Sequence, residues 1–241
     1  VIVLPSASST NDEARAMAAA GAPEGTVVIA ERQTAGRGRM GRRWHSPAGT
    51  GLYLSVLLRP VEPVALVGRY GLTAAVAACR TARAFAGDGV RIKWPNDLLA
   101  DGGKLGGILA EVRSGPGGIE LVVGLGLNLN HRKGDFPGEL RGLATSIRIL
   151  RDGAPVDRED FAVRLLGSLG DELADLRSGP WGRVAERFMR YAPHAEGARV
   201  RLAAGAFGIT RGLDPSGALR VECGDGVVLV HAGESVSVLE G

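Results

Sequence analysis

Lys93-Trp94-Pro95-Asn96-Asp97-Leu98-Leu99-Ala100-Asp101-Gly102-Gly103-Lys104-Leu105-Gly106-Gly107-Ile108-Leu109-Ala110-Glu111-Val112 is the stretch whose reading decides the fold. Val90 to Trp94 and Leu98 to Leu99 have strand composition, broken by a bend at Pro95-Asn96-Asp97, where proline fixes φ. Asp101-Gly102-Gly103 is a hairpin turn signal, and Leu105 to Val112 is the returning strand. A further strand, Ile119 to Leu127, comes after the Gly-rich turn from Ser114 to Gly118. The middle of the chain is therefore a sheet. A hairpin here brings Asp97 and Lys104 together at one end of it.

Working outward, Leu52, Leu54, Val56 and Leu58 alternate with Tyr53, Ser55 and Leu57, as in a strand buried on both faces. Thr26 to Ala30 is a shorter strand. Ser9 and Thr10 precede an Ala-rich run, Thr10 and Glu13 have capping-box spacing, and Gly21 supplies a stop, which predicts a helix. A second helix spans about Val64 to Ala86. A third carries Phe161, Leu165, Leu166, Leu169, Leu173 and Leu176 at helical spacing, and a shorter one covers about Trp181 to Tyr191. Beyond Pro193 the pattern changes to short strands with Gly turns: Arg199 to Leu202, Ala206 to Leu213, Ala218 to Glu222, Val227 to His231 and Ser235 to Leu239. The expected architecture is a mixed α/β unit over 1–192 and a small all-β barrel over 193–241.

Composition narrows the function classes. Of 241 residues, 45% are hydrophobic and 23% charged, which is ordinary globular usage and excludes disordered and collagen-like chains. Arg69 and Arg80 interrupt the longest apolar stretch, so no membrane span is expected. No basic leader followed by an apolar core is visible at Val1, and a cytoplasmic setting is expected. Cys79 and Cys223 are far apart and form no metal-ligand spacing with His45, His131, His194 or His231, so no metal site is expected. Lys93, Lys104 and Lys133 are the only lysines, so 26 of the 29 basic residues are arginine. Lysine in such a chain marks a place where a compact ammonium suits the task.

Three segments carry polar chemistry. Gln33 to Gly51 loses all apolar pattern, and within it Gly36-Arg37-Gly38-Arg39-Met40-Gly41 formally fits a dinucleotide fingerprint. The adjoining residues, Arg42-Arg43-Trp44-His45-Ser46-Pro47, do not open a helix, so that reading is discarded. The remaining reading is a loop of guanidinium groups spaced by glycines, mobile until an anion neutralises it and suited to carboxylate and phosphate. Leu105 after Lys104 excludes a P-loop. Gly124-Leu125-Gly126-Leu127-Asn128 ends a strand with small residues and an amide that both donates and accepts, as an adenine edge requires.

Taken together, Ser9-Thr10-Asn11, Gln33-Thr34-Ala35-Gly36-Arg37-Gly38-Arg39, Lys93-Trp94-Pro95-Asn96-Asp97, Gly103-Lys104-Leu105-Gly106-Gly107-Ile108-Leu109 and Gly124-Leu125-Gly126-Leu127-Asn128 resemble, in this order, the biotin protein ligases. The tail Phe207-Gly208-Ile209-Thr210-Arg211-Gly212-Leu213-Asp214 is similar to that family's C-terminal barrel. The resemblance implies an α/β (α+β) catalytic domain related to class II aminoacyl-tRNA synthetases, followed by an SH3-like barrel. It implies two steps: biotin and MgATP give biotinyl-5′-AMP and pyrophosphate, and a lysine of a carrier protein then takes the biotinyl group.

Carried onto matching positions, the resemblance gives Ser9, Thr10, Asn11 and Gln33 the polar part of a biotin pocket, with Gly107 lining it. Arg37 and Arg39 would hold carboxylate and α-phosphate together, Gly38 would allow close backbone approach, and Lys104 would reach the acyl oxygen and phosphate. Trp44 would pack near the adenylate, Asn96 would belong to the ATP site and Asn128 would contact adenine. Asp97 would orient the incoming lysine, since an ordinary carboxylate is a poor base toward an amine near pKa ~10.4. The implied partner is the biotin carboxyl carrier domain of a carboxylase such as acetyl-CoA carboxylase, and a homodimer is compatible with the resemblance. Some members carry an N-terminal DNA-binding domain. Here the motifs begin at Ser9, so no specific DNA binding is expected. Two other readings are a lipoate or octanoate ligase of the same superfamily, and a basic nucleic-acid-binding module using the arginine loop as a phosphate clamp.

Overall fold

The fold is that of a computed structural model, which describes residues 1–239 apart from 116, 204, 225 and 235. The expected Ser114 to Gly118 turn includes residue 116, and the last expected strand begins at Ser235; both positions lie outside the described residues. The main sheet contains β1 (Ile2–Leu4), β2 (Val27–Ala30), β3 (Gly51–Leu58), β4 (Arg91–Lys93), β5 (Asp97–Ala100), β6 (Gly103–Gly115) and β7 (Gly118–Asn128). Their spatial order is β1-β2-β3-β7-β6-β5-β4, with β1 parallel to β2 and every other pair antiparallel. The expected hairpin is present, and β6 and β7 extend beyond the apolar runs that announced them.

The helices are α1 (Thr10–Ala19), α2 (Gly68–Ala86), α3 (Ile147–Leu150), α4 (Arg158–Ser178) and α5 (Trp181–Tyr191). The expected start of the second helix at Val64 is instead a 3-10 turn over Val64–Leu66 that leads into α2. On α1 the expected capping box does not form. Ser9 is the N-cap and makes no side-chain cap bond, while the Thr10 N–H donates to Gln33 Oε1 at 2.9 Å. A glutamine from a distant loop thus takes the first N–H of α1, and the Thr10 hydroxyl donates to the same oxygen.

β3 is buried along its whole length because its faces pack on different layers. Leu52, Leu54, Val56 and Leu58 join a large core with α2, α4 and α5, whereas Leu57 joins Val28, Val122, Ala14 and Ala18 beneath α1. α2 is lined by Ala74, Ala75, Ala77, Ala78 and Ala82, all fully buried, whose small side chains let α4 approach closely. Arg80, which interrupted the apolar run in the sequence, reaches across to α4 and donates to Ser168 Oγ at 3.0 Å and Glu172 Oε1 at 3.1 Å. Arg187 of α5 holds the other Glu172 oxygen at 2.6 Å. Among the described residues no helix is long and apolar enough to cross a membrane.

After a turn at Pro193–Ala195 come β8 (Glu196–Leu202), β9 (Phe207–Leu213), β10 (Leu219–Cys223), β11 (Gly226–Val230) and β12 (Val236–Val238). They form a wholly antiparallel sheet in the order β11-β10-β9-β8-β12, as expected of a small barrel. Val200, Leu219, Val221 and Val230 continue the main core. Polar ties add to this packing: the Trp94 indole N–H donates to Gly217 O at 3.3 Å, and Arg69 Nε donates to Pro215 O at 2.7 Å.

Glu172 is 1% exposed, so its charge depends on both arginines. Arg187→Met should lower unfolding free energy by about 3 kcal/mol, because a buried carboxylate loses half its compensation. Arg190→Met, which removes an exposed pair with Glu186, should cost less than about 0.5 kcal/mol. Urea denaturation of the two variants checks both values.

Candidate active site

The free part of the α1 face of the sheet is the floor of a cavity of about 310 Å³. Gly124, Gly126 and Asn128 alternate along β7 and share this face with Ser55 of β3, Gly107 and Glu111 of β6 and Asp97 of β5, as the strand registers require. Two glycines make the floor. A Cβ on Gly126 would stand 2.5 Å from Trp44 Nε1, and one on Gly124 would fall inside contact with the Asn11 amide, 3.0 Å from its Cγ. The indole and the amide therefore lie against bare backbone. At a strand rise of about 3.3 Å per residue, the floor runs from Asn11 past the indole to Asn128 over roughly 13 Å.

At the Asn11 end, polar side chains are bonded mainly to one another. Gln33 Oε1 accepts from the Thr10 N–H at 2.9 Å and the Thr10 hydroxyl at 3.2 Å, and Gln33 Nε2 donates to Ser46 Oγ at 3.0 Å. Ser55 Oγ donates to Asn11 Oδ1 at 2.6 Å and lies 2.7 Å from Thr10 Oγ1. Asn11 Nδ2 donates to Glu111 Oε2 at 2.7 Å and Leu109 O at 3.3 Å, so the Asn11 amide is fully engaged. Ser9 also lines the cavity.

The other end is cationic. Lys104 Nζ is 2.6 Å from Asp97 Oδ1 and 5.5 Å from the centre of the Trp44 ring. Arg39 donates to Asn96 Oδ1 at 2.8 Å and to the Ala232 carbonyl, in a turn after β11. Its acceptors are neutral, and burial pulls the guanidinium below its ordinary pKa; it stays a cation whose charge is not cancelled at contact. Arg37 differs: it forms a two-pronged pair with Asp12 at 2.6 and 2.7 Å, which draws the Asp12 carboxyl down to about 2. Asn128 Nδ2 donates to Lys104 O at 3.2 Å and Thr145 O at 3.0 Å, leaving Oδ1 as the atom free of these bonds.

The arginine loop is not the unordered segment expected from its composition. Gly38 N–H donates to Arg42 O at 2.6 Å and Trp44 N–H to Gly36 O at 2.9 Å, with Met40 at φ 57° at the tip, so it is a small hairpin. Arg37 is held by a carboxylate and Arg39 by neutral oxygens elsewhere in the chain, and these bonds hold the hairpin although Arg42 still repels Arg39. Ser9, Thr10, Asn11, Gln33, Arg37, Gly38, Arg39, Trp44, Asn96, Lys104, Gly107 and Asn128 all line the one cavity. Asp97 reaches it through Lys104.

Sequence reasoning alone misses Asp12, Ser55, Glu111 and His131. Asp12 and Ser55 read as ordinary helix and strand residues, and only the register of β3, β6 and β7 brings Ser55 and Glu111 to Asn11. His131 is fully buried, stacked on Phe136 at 5.0 Å, with Thr50 Oγ1 3.1 Å from its Nε2. Its Nδ1 has no partner among the described residues. Burial, with the His45 charge adding to it, pushes His131 down to about 4.

The unfolded chain therefore binds a proton at His131 between pH ~6.5 and ~4 that the folded chain refuses, so stability falls as pH falls through that window, by about 3 kcal/mol. Urea unfolding at successive pH values should show that slope, and His131→Asn should flatten it. Gly126→Ala should displace the indole, cost about 1–3 kcal/mol and move tryptophan emission to longer wavelength. An unchanged emission spectrum would contradict the packing described for Trp44.

Residues 3–128 match the model of the family described as "Biotin/lipoate A/B protein ligase family". The chain is 39% identical over 241 residues to "Biotin--[acetyl-CoA-carboxylase] ligase" of Mycobacterium tuberculosis, covering 97% of this chain and 87% of that protein. It is 36% identical over 230 residues to "Bifunctional ligase/repressor BirA" of Bacillus spizizenii, covering 94% of this chain and 70% of that one. The solved structure described as "Biotin protein ligase from Aquifex aeolicus in complex with biotin and ATP" superposes with a TM-score of 0.85 at 26% identity, over 99% of this chain and 98% of that one. With the cavity and its charges in the same polypeptide, the chain belongs to the biotin/lipoate A/B protein ligase family.

Proposed function

We propose that the chain is an ATP-dependent biotin protein ligase: it forms biotinyl-5′-AMP and transfers the biotinyl group to a lysine of a biotin carboxyl carrier domain, as in acetyl-CoA carboxylase. The observation that carries the reading is a single cavity with a hydrogen-bonding end at Thr10 and Gln33, an indole in its middle and an uncancelled Arg39 with Lys104 at its far end. A ureido ring needs paired donors and acceptors, and a carboxylate beside a phosphate needs cations. The cavity separates the two requirements in that order.

In the first step a carboxylate oxygen attacks the α-phosphorus and the bond to pyrophosphate breaks. Two anions must meet, and Arg39 and Lys104 supply positive charge where both converge. Gly38 lets backbone approach closely, and Trp44 excludes water. Lys104 directs one N–H to Asp97 and keeps others for the acyl and phosphate oxygens. In the second step the acceptor lysine, having given up its ammonium proton to water, attacks the acyl carbon as the amine; the bond to phosphate breaks, AMP leaves and one amine proton passes to solvent. Asp97 is the carboxylate beside Lys104 and would orient the incoming ammonium. Ser9, Thr10, Gln33 and Gly107 would contact the biotin ring, with Asn11 as the scaffold that shapes their pocket. Asn96 would hold Arg39, and Asn128 Oδ1 would accept from the adenine amino group.

Mg²⁺ would arrive as part of MgATP; among the described residues no three His, Cys, Asp or Glu side chains are grouped to hold a metal. Division of labour between 1–192 and an SH3-like domain over 193–241 and a cytoplasmic setting go with the same proposal, which is also compatible with a homodimer.

Incubation with ATP, Mg²⁺, biotin and a carrier domain should raise the carrier's mass by one biotinyl group. Labelled biotin should be displaced by unlabelled biotin and not by lipoate; displacement by lipoate would move the assignment to the lipoate side of the family. Lys104→Ala and Arg39→Ala should each slow adenylate formation by about 10²-fold or more, with little change in melting temperature. Parallel loss of activity and folding would give these residues structural roles instead.

A further inference from the structure

Arg37 and Arg39 stand two residues apart in one loop, yet only Arg37 has a carboxylate in contact. Arg39 has neutral acceptors, Asn96 Oδ1 and the carbonyls of Ala232 and Glu234. Arg37 has Asp12 on both prongs of its fork, and Glu111 lies 3.7 Å away. Any anion brought to Arg37 is brought equally to two carboxylates.

We propose that Asp12, seconded by Glu111, is a positioning residue: it ties the start of the loop to the first turn of α1, so that Arg37 is a strut and Arg39 the arginine delivered to the reacting anions. The inference rests on the ligase reading above and narrows it. A two-pronged guanidinium–carboxylate pair fixes direction as well as distance, which a strut requires and a surface ion pair does not supply. Glu111 extends the tie across the sheet, because its Oε2 also accepts from Asn11 Nδ2 at 2.7 Å. Arg15 pairs with both Asp12 and Glu111, giving two cations for two anions. The cluster is therefore internally neutral and attracts no further anion. The strong depression of the Asp12 carboxyl keeps the tie ionised across the whole range in which the protein would work.

The two roles for Arg37 differ in the sign of one measurement. If Asp12 positions the loop, its removal weakens substrate binding; if Asp12 merely competes for an arginine that itself holds anions, its removal strengthens binding. Biotin- and MgATP-dependent pyrophosphate release should be measured for wild type, Asp12→Ala, Arg37→Met and the double variant. Asp12→Ala should raise the biotin KM about tenfold with kcat within about threefold, the signature of lost binding without lost chemistry. The double variant should be no worse than either single one, since both break the same tie. Trypsin should also cut the Asp12→Ala loop at Arg39, Arg42 or Arg43 faster than the wild-type loop. Asp12→Glu, which keeps the carboxylate, should recover most of the lost affinity. A biotin KM in Asp12→Ala that is unchanged or lower overturns the proposal. Should Asp12→Ala not melt cooperatively, Asp12→Asn replaces it with the same expected direction. If wild type releases no pyrophosphate with biotin, the ligase reading falls, and unchanged trypsin cleavage in Asp12→Ala then decides against the strut by itself.

Discussion

The close approach of Trp44 and Asn11 to the bare backbone of β7 is the constraint on which the site depends. At two alternate positions the strand carries glycine, and a Cβ at either would occupy space already taken by the indole or the amide. Because side chains alternate across a strand, those two positions and Asn128 form one face. That face lies opposite the one that packs on α2 and α4. The same strand therefore serves as core on one side and as cavity floor on the other, and each role leaves the other undisturbed.

Charge is distributed along this floor by a second rule. Cations at the cavity are compensated to different degrees. Arg37 has a carboxylate on both prongs, Lys104 is shared between Asp97 and the indole, and Arg39 is held only by neutral oxygens. Part of the hold on Arg39 comes from the carbonyl of Ala232, in a turn after β11. The C-terminal region thus does more than extend the core, since one of its turns bonds a side chain of a loop nearly two hundred residues earlier in the chain. The buried Glu172 cluster uses the same arginine chemistry for a purely structural end, pinning α2, α4 and α5 together.

The hairpin, the glycine-bounded strands, the Ala-rich helices and the change of pattern after Pro193 are all legible in the amino acids, because period, turn residues and helix stops are local signals. The ordered motifs also locate the cavity residues, and Asp97 beside Lys104 is a consequence of hairpin geometry alone. The cap of α1 is not legible, because the local spacing of Thr10 and Glu13 is overridden by Gln33 from another segment. Nor is the order of the arginine loop, since composition reports its like charges and hides Asp12, Asn96 and the Ala232 carbonyl that answer them.

By itself the sequence determined which segments become strands and helices, which residues carry charge and the family to which the chain belongs. Tertiary structure alone decided which charges meet. Strand register placed Ser55, Glu111 and the β7 glycines around Asn11, and the folding back of α1 gave Arg37 a partner that Arg39 lacks. The reason is physical: secondary structure depends on neighbours along the chain, whereas the balance of charge at a point in space is summed over groups that the chain keeps far apart until it folds.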